Sequence, residues 1–145
     1  MLPLPGLAMI NSPIHISESG VPIATGATYQ DVIRRLCQET ASANCPEYAD
    51  EMFCSALERE TQEPTYVGRG LAIPHARVAG LGRAYINIAR SQGGIPWPEE
   101  AATTIVLLAV PAEQPDLYLQ LLRRIVQWRM KGEPCPLAEF IGKAS

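Results

Sequence analysis

Six consecutive apolar residues, Ile105-Val106-Leu107-Leu108-Ala109-Val110, constrain this chain more than any other feature. Successive side chains of a strand point to opposite faces, so a run apolar at both parities has no face to turn to water. It reads as an interior strand, and amphipathic helices must cover it. Thr28 caps one such helix, with Asp31 in its first turn and a stripe of Val32, Ile33, Leu36 and Cys37; Arg34 and Arg35 fall towards solvent. Pro46 opens a second, whose apolar stripe of Ala49, Met52, Phe53, Ala56 and Leu57 runs to about Glu60. A third spans Asp116 to Met130, with Leu119, Leu122, Ile125 and Val126 as its inward face, and a fourth begins at Leu137 to Ile141. Shorter strand candidates lie at Ile14–Ile16, Leu71–Ile73 and Tyr85–Ala89, with Gly80, Gly82, Gly93, Gly94 and a proline cluster as separators. Strands interleaved with helices make an α/β layer structure.

The chain has 145 residues, 47 % of them apolar, which suits one domain with one sizeable core and excludes a disordered protein. The first residues are proline-rich and aperiodic, so 1–11 are expected to form a loose arm and 12–145 the domain. A net charge of −3 without a basic run argues against a nucleic-acid surface. The apolar run ending at Pro111 is far too short to span a membrane, and Met1-Leu2-Pro3-Leu4-Pro5 lacks the basic region of a secretory signal. A soluble, cytoplasmic chain without membrane insertion is the expectation. The four cysteines, 37, 45, 54 and 135, show neither a C-x-x-C pair nor metal spacing, and His15 lies sixty residues before His75, so no metal site is expected. Cys37 and Cys54 occupy apolar positions of helical patterns and read as small buried hydrophobes.

Chemistry concentrates between Gly68 and Arg77. His75 follows two glycines and a proline and precedes an arginine by two residues; a neutral imidazole is a nucleophile near physiological pH. Gly68 and Gly70 permit φ > 0 and close approach of an anion to backbone N–H groups. A histidine after proline in a loop also has a purely structural reading, held by a hydrogen bond. Arg59, at the end of the second helix, complements the negative pole there, and its planar fork equally suits phosphate oxygens.

The run Gly68-x-Gly70-x-Ala72-Ile73-Pro74-His75 with Arg77 following resembles the active-site signature of fructose/mannitol-type (type-2) enzyme IIA domains. These belong to the phosphoenolpyruvate-dependent phosphotransferase system and include a nitrogen-regulatory branch. Upstream, Ala56-Leu57-Glu58-Arg59-Glu60 and Thr65-Tyr66-Val67-Gly68 match the family's approach to the histidine; downstream, Ile95-Pro96-Trp97, the apolar run and the helix near Asp116 fall in the expected order, so the likeness runs from about residue 12 to residue 130.

The resemblance implies the enzyme IIA fold, a single-domain mixed β-sheet flanked by helices. It implies a phosphocarrier that accepts a phosphoryl group on His75, through Nε2, from phospho-HPr or a nitrogen-branch carrier and passes it to a IIB partner. The alternative is a regulatory IIA-like module whose phosphorylation state controls binding to a kinase or transporter. Either way the chemistry is phosphotransfer through phosphohistidine, with no metal or organic cofactor. Arg59 then stabilises charge, and Thr65, Gly68, Gly70, Arg77 and Tyr118 bind phosphate, though Thr65 also suits a turn or strand and Arg77 a solvated or docking surface. Two departures stand out. Tyr118 occupies a position where many members carry a second histidine; it donates a hydrogen bond but stays neutral near pH 7, or simply caps the core edge. The chain also stops at Ser145, where relatives usually add another helical segment, which leaves the expected fold one helix short.

Overall fold

The computed structural model describes residues 14–20, 23, 26–98 and 100–143, so the arm expected at 1–11 lies outside the described residues. The apolar run sits in β6 (Ala101–Pro111), at the centre of the sheet. Along one side β6 pairs antiparallel with β5 (Ala84–Pro96), and along the other it pairs parallel with β3 (Leu71–Ala72) and β4 (His75–Val78). β1 (Ile14–Glu18) adds parallel to β5, and β2 (Tyr66–Gly68) antiparallel to β3. The sheet is therefore mixed, as the resemblance implied.

Every residue from 105 to 110 is fully buried, and the two parities face different cores. Ile105, Leu107 and Ala109 pack with α1 (Tyr29–Asn44) and α2 (Ala49–Gln62); Val106, Leu108 and Val110 pack with α3 (Pro115–Met130) and α4 (Leu137–Lys143). Burying an Ile or Leu side chain contributes about 1.5–3 kcal/mol, so this strand alone accounts for much of the cohesion between layers.

α1 begins as its sequence dictates. The Thr28 hydroxyl accepts from the Asp31 N–H and the Asp31 carboxylate accepts from the Thr28 N–H, both at 3.1 Å, a reciprocal cap that also holds the Asp31 carboxyl below its ordinary pKa. Its stripe of Val32, Ile33, Leu36 and Cys37 is buried. A short 3-10 turn, Pro46–Tyr48, precedes α2.

Three expectations shift. Cys54 is exposed, because the buried line of α2 runs through Met52, Ala56 and Glu60 at four-residue spacing and residue 54 points away from it. The inward face of α3 is Leu117, Tyr118, Leu121, Ile125 and Trp128; Leu119 is half exposed, and Leu122 and Val126 only partly buried, because the two aromatic rings carry the packing that the aliphatic stripe was expected to supply. Gly93 and Gly94 do not end β5. The strand passes through them with a register shift between Arg90 and Ile95, and Gly94 takes φ +78°.

Candidate functional site

β4 follows Pro74 directly, and His75 is its first residue, paired with Leu108 of the central strand. His75 and Arg77 lie two apart on a strand and so point to one side, while Ala76 and Val78 join the core beneath α1 and α2. α2 lies against β4 and brings Ser55 and Arg59, one helical turn apart on one face. The first turn of α3 supplies Tyr118. These five side chains line a cleft of about 360 Å³.

The imidazole is oriented from its own chain. Nδ1 of His75 lies 3.2 Å from the Ile73 carbonyl oxygen. A carbonyl only accepts, so Nδ1 carries the hydrogen and Nε2 keeps its lone pair. The residue is 5 % exposed, and burial pushes its pKa down to about 4, with the Arg59 and Arg77 guanidiniums adding to the shift and the Ile73 bond opposing it. Near neutral pH the ring is an uncharged base with one reactive nitrogen. Its face lies against Tyr118, ring centres 4.5 Å apart and tilted by 41°, and the Arg77 guanidinium sits 5.2 Å from the centre of the same tyrosine ring. Nη1 of Arg59 donates to the Glu63 carbonyl at the end of its own helix at 2.7 Å, and the side chain also borders the cleft.

The structure does not bring Thr65, Gly68 or Gly70 to that cleft. Thr65 is buried, its N–H donating to Oε1 of Glu60 at 3.0 Å and its hydroxyl to Oε2 at 2.7 Å, so the hydroxyl hydrogen expected to hold phosphate already has an acceptor. Gly68, Arg69 and Gly70 all have positive φ, +103°, +53° and +76°, and make the tight turn from β2 to β3. That turn docks on β6: the Gly70 carbonyl accepts from the N–H groups of Thr103 and Thr104, and its N–H donates to the Tyr66 hydroxyl. A Cβ at Gly70 would lie 2.5 Å from Oγ1 of Thr103, so close approach explains the glycine, but the approaching group is β6 rather than an anion.

The family described as "Phosphoenolpyruvate-dependent sugar phosphotransferase system, EIIA 2" matches residues 17–135. The chain belongs to this family. It is 30 % identical over 99 residues to the PTS system fructose-specific EIIA component of Haloferax volcanii, covering 66 % of this chain and 64 % of that protein. It is also 30 % identical over 98 residues to the 2-O-alpha-mannosyl-D-glycerate-specific EIIABC component of Escherichia coli, covering 64 % of this chain and 15 % of that longer protein. Both matches thus span under two thirds of the relative. The fold is similar to nitrogen regulatory protein IIA-Ntr from Neisseria meningitidis, with a TM-score of 0.62 at 18 % identity over 90 % of this chain and 93 % of that one. IIA mannitol from Escherichia coli gives 0.57 at 17 % identity over 88 % and 94 %. Among the described residues of this IIA domain, no helix is long and apolar enough to cross a membrane.

Sequence reasoning passed over two residues of this IIA domain. Glu60 is 2 % exposed, and its carboxylate accepts from the Thr65 N–H, the Thr65 hydroxyl and the Trp97 indole N–H. Three donors offset the cost of a buried charge and tie the end of α2 to the loop before β2 and to the end of β5. Its four-residue spacing from Ala56 was the available signal. Ser55 accepts the Arg77 N–H at 2.9 Å, and its place one turn before Arg59 was the corresponding clue.

Proposed function

We propose that this IIA domain is a phosphocarrier in which His75 accepts a phosphoryl group from a phosphohistidine on an HPr-like carrier protein and hands it to a IIB domain. Nε2 of His75 attacks phosphorus, the bond from phosphorus to the donor imidazole breaks, and the donor ring leaves uncharged. The same exchange in the next step returns His75 to its neutral state. The carrying observation is the lone pair at Nε2 of an uncharged imidazole, bordered by two guanidiniums, Arg59 and Arg77. A phosphoryl group of charge near −2 placed there gains charge-assisted contacts that no uncharged cleft would offer. Tyr118 forms the wall behind the ring and keeps water from its face.

The partners are proteins, and the chemistry requires neither metal nor organic cofactor because the phosphoryl donor is itself a side chain. Such a relay starts from phosphoenolpyruvate, which supports a cytoplasmic location. One chain of a complex of enzyme IIA mannitol with phosphorylated enzyme IIB mannitol from Escherichia coli is similar in fold, at TM-score 0.57 and 18 % identity over 77 % of this chain, and supports a IIB-type acceptor. Incubation with phosphoenolpyruvate, enzyme I and the carrier should give an acid-labile, alkali-stable label that is absent from His75→Ala and moves to an added IIB domain. Absence of label with every cognate donor would refute the relay, and label that never leaves would replace it with the regulatory alternative.

A further inference from the structure

We propose that Ser55 is a phosphoryl-binding residue, its hydroxyl donating to an oxygen of the group carried on His75; this rests on the phosphocarrier reading and extends it. Ser55 is held by the site in a defined sense. Its Oγ accepts the N–H of Arg77 at 2.9 Å, and Arg77 is two residues beyond the histidine on the same strand. A hydroxyl that accepts from an amide still has its own hydrogen to give. Among the described residues that hydrogen has no acceptor, whereas the hydroxyl of Thr65 is committed to Glu60.

Position reinforces the assignment. Ser55 borders the same cleft as His75, and stands one helical turn before Arg59, so α2 offers a neutral donor and a cation side by side. Arg77 and Tyr118 border the cleft from β4 and α3. A phosphoryl group on Nε2 brings three oxygens into this space. Two guanidiniums supply charge without fixing all three, and a short hydroxyl pinned at its oxygen supplies direction. The hydrogen bond from the Arg77 N–H holds Oγ in place, so the donor is oriented before phosphorus arrives.

The test reads the phosphorylated protein directly. Phosphoramidate, a small chemical donor, is used to phosphorylate the full chain and its Ser55→Ala and Ser55→Thr variants, with His75→Ala as the blank. Loss of one hydrogen bond to a charged group should slow phosphorylation of Ser55→Ala about tenfold to a hundredfold. The 31P resonance of its phosphohistidine should move, and Ser55→Thr, which keeps the hydroxyl, should restore both. A role confined to tethering Arg77 would leave the 31P resonance in place. A Ser55→Ala protein labelled within twofold of the parent, with an unmoved resonance, would overturn the assignment. So would failure of phosphoramidate to label His75 at all. Label from phosphoramidate but from no carrier protein would refute the relay while leaving the Ser55 contact to be read from the resonance and the rates.

Discussion

His75 makes the stability of this domain depend on pH in a direction and over a window that the structure defines. The unfolded ring titrates at 6.5 and the folded ring at about 4. Between these values the unfolded chain binds a proton that the folded chain refuses, so stability is full above about pH 6.5 and declines as pH falls towards 4. With about 1.4 kcal/mol per unit of separation, this one residue removes about 3 kcal/mol by pH 4. That is a large fraction of the 5–15 kcal/mol typical of a domain, roughly speaking. The perturbation is His75→Asn, which deletes the titration and retains an N–H able to reach the Ile73 carbonyl. Urea unfolding of both proteins near pH 7 and near pH 4 isolates the residue, since the carboxylates titrate alike in each. The parent should lose about 3 kcal/mol more than the variant over that interval. Equal losses, or an NMR titration placing His75 near 6.5, would show that burial and the two guanidiniums do not act on the ring.

Four further outcomes follow from the same geometry. Tyr118→Ala should admit water to the imidazole and raise the His75 pKa towards its ordinary value, because burial is the leading cause of the depression; an unmoved NMR titration would dismiss the tyrosine as a shield. Tyr118→His, which places a group able to carry charge beside the phosphoryl site, should accelerate carrier-dependent labelling by about tenfold or more, and an unchanged rate would show that the tyrosine is not limiting. Glu60→Ala should cost about 3 kcal/mol in denaturant, since the Thr65 N–H and hydroxyl and the Trp97 indole lose their shared acceptor; a loss under about 1 kcal/mol would mean water replaces the carboxylate readily. Gly70→Ala should lower stability by about 1–2 kcal/mol from positive φ alone, and Thr103→Ala added to it should recover only the part due to the clash at Oγ1.

The layering was legible wherever one residue pattern admitted one arrangement. A strand apolar on both parities needs two covers, and Thr28 with Asp31 can hardly be anything but a helix start. The rotation of α3 was not legible from aliphatic spacing, since Tyr118 and Trp128 are both buried while their polar atoms suggest otherwise. Of the site, His75, Arg59, Arg77 and Tyr118 were named from motif order and do converge. Thr65 and the glycines were assigned to phosphate by resemblance, yet the loop before β2 holds Thr65 on Glu60 and the β2–β3 turn docks Gly70 on β6. Neighbours along a chain that folds back within a few residues need not be neighbours in space. Ser55 suffered the opposite fate, twenty residues from the histidine and beside the strand that bears it.

The bond between Nδ1 of His75 and the Ile73 carbonyl spans only Pro74. In the proposed relay, regiochemistry is thereby written into three consecutive residues: with Nδ1 engaged by the carbonyl, Nε2 is the nitrogen left to accept phosphorus. On that proposal, distant surfaces can diverge to suit new partners without altering which isomer is made.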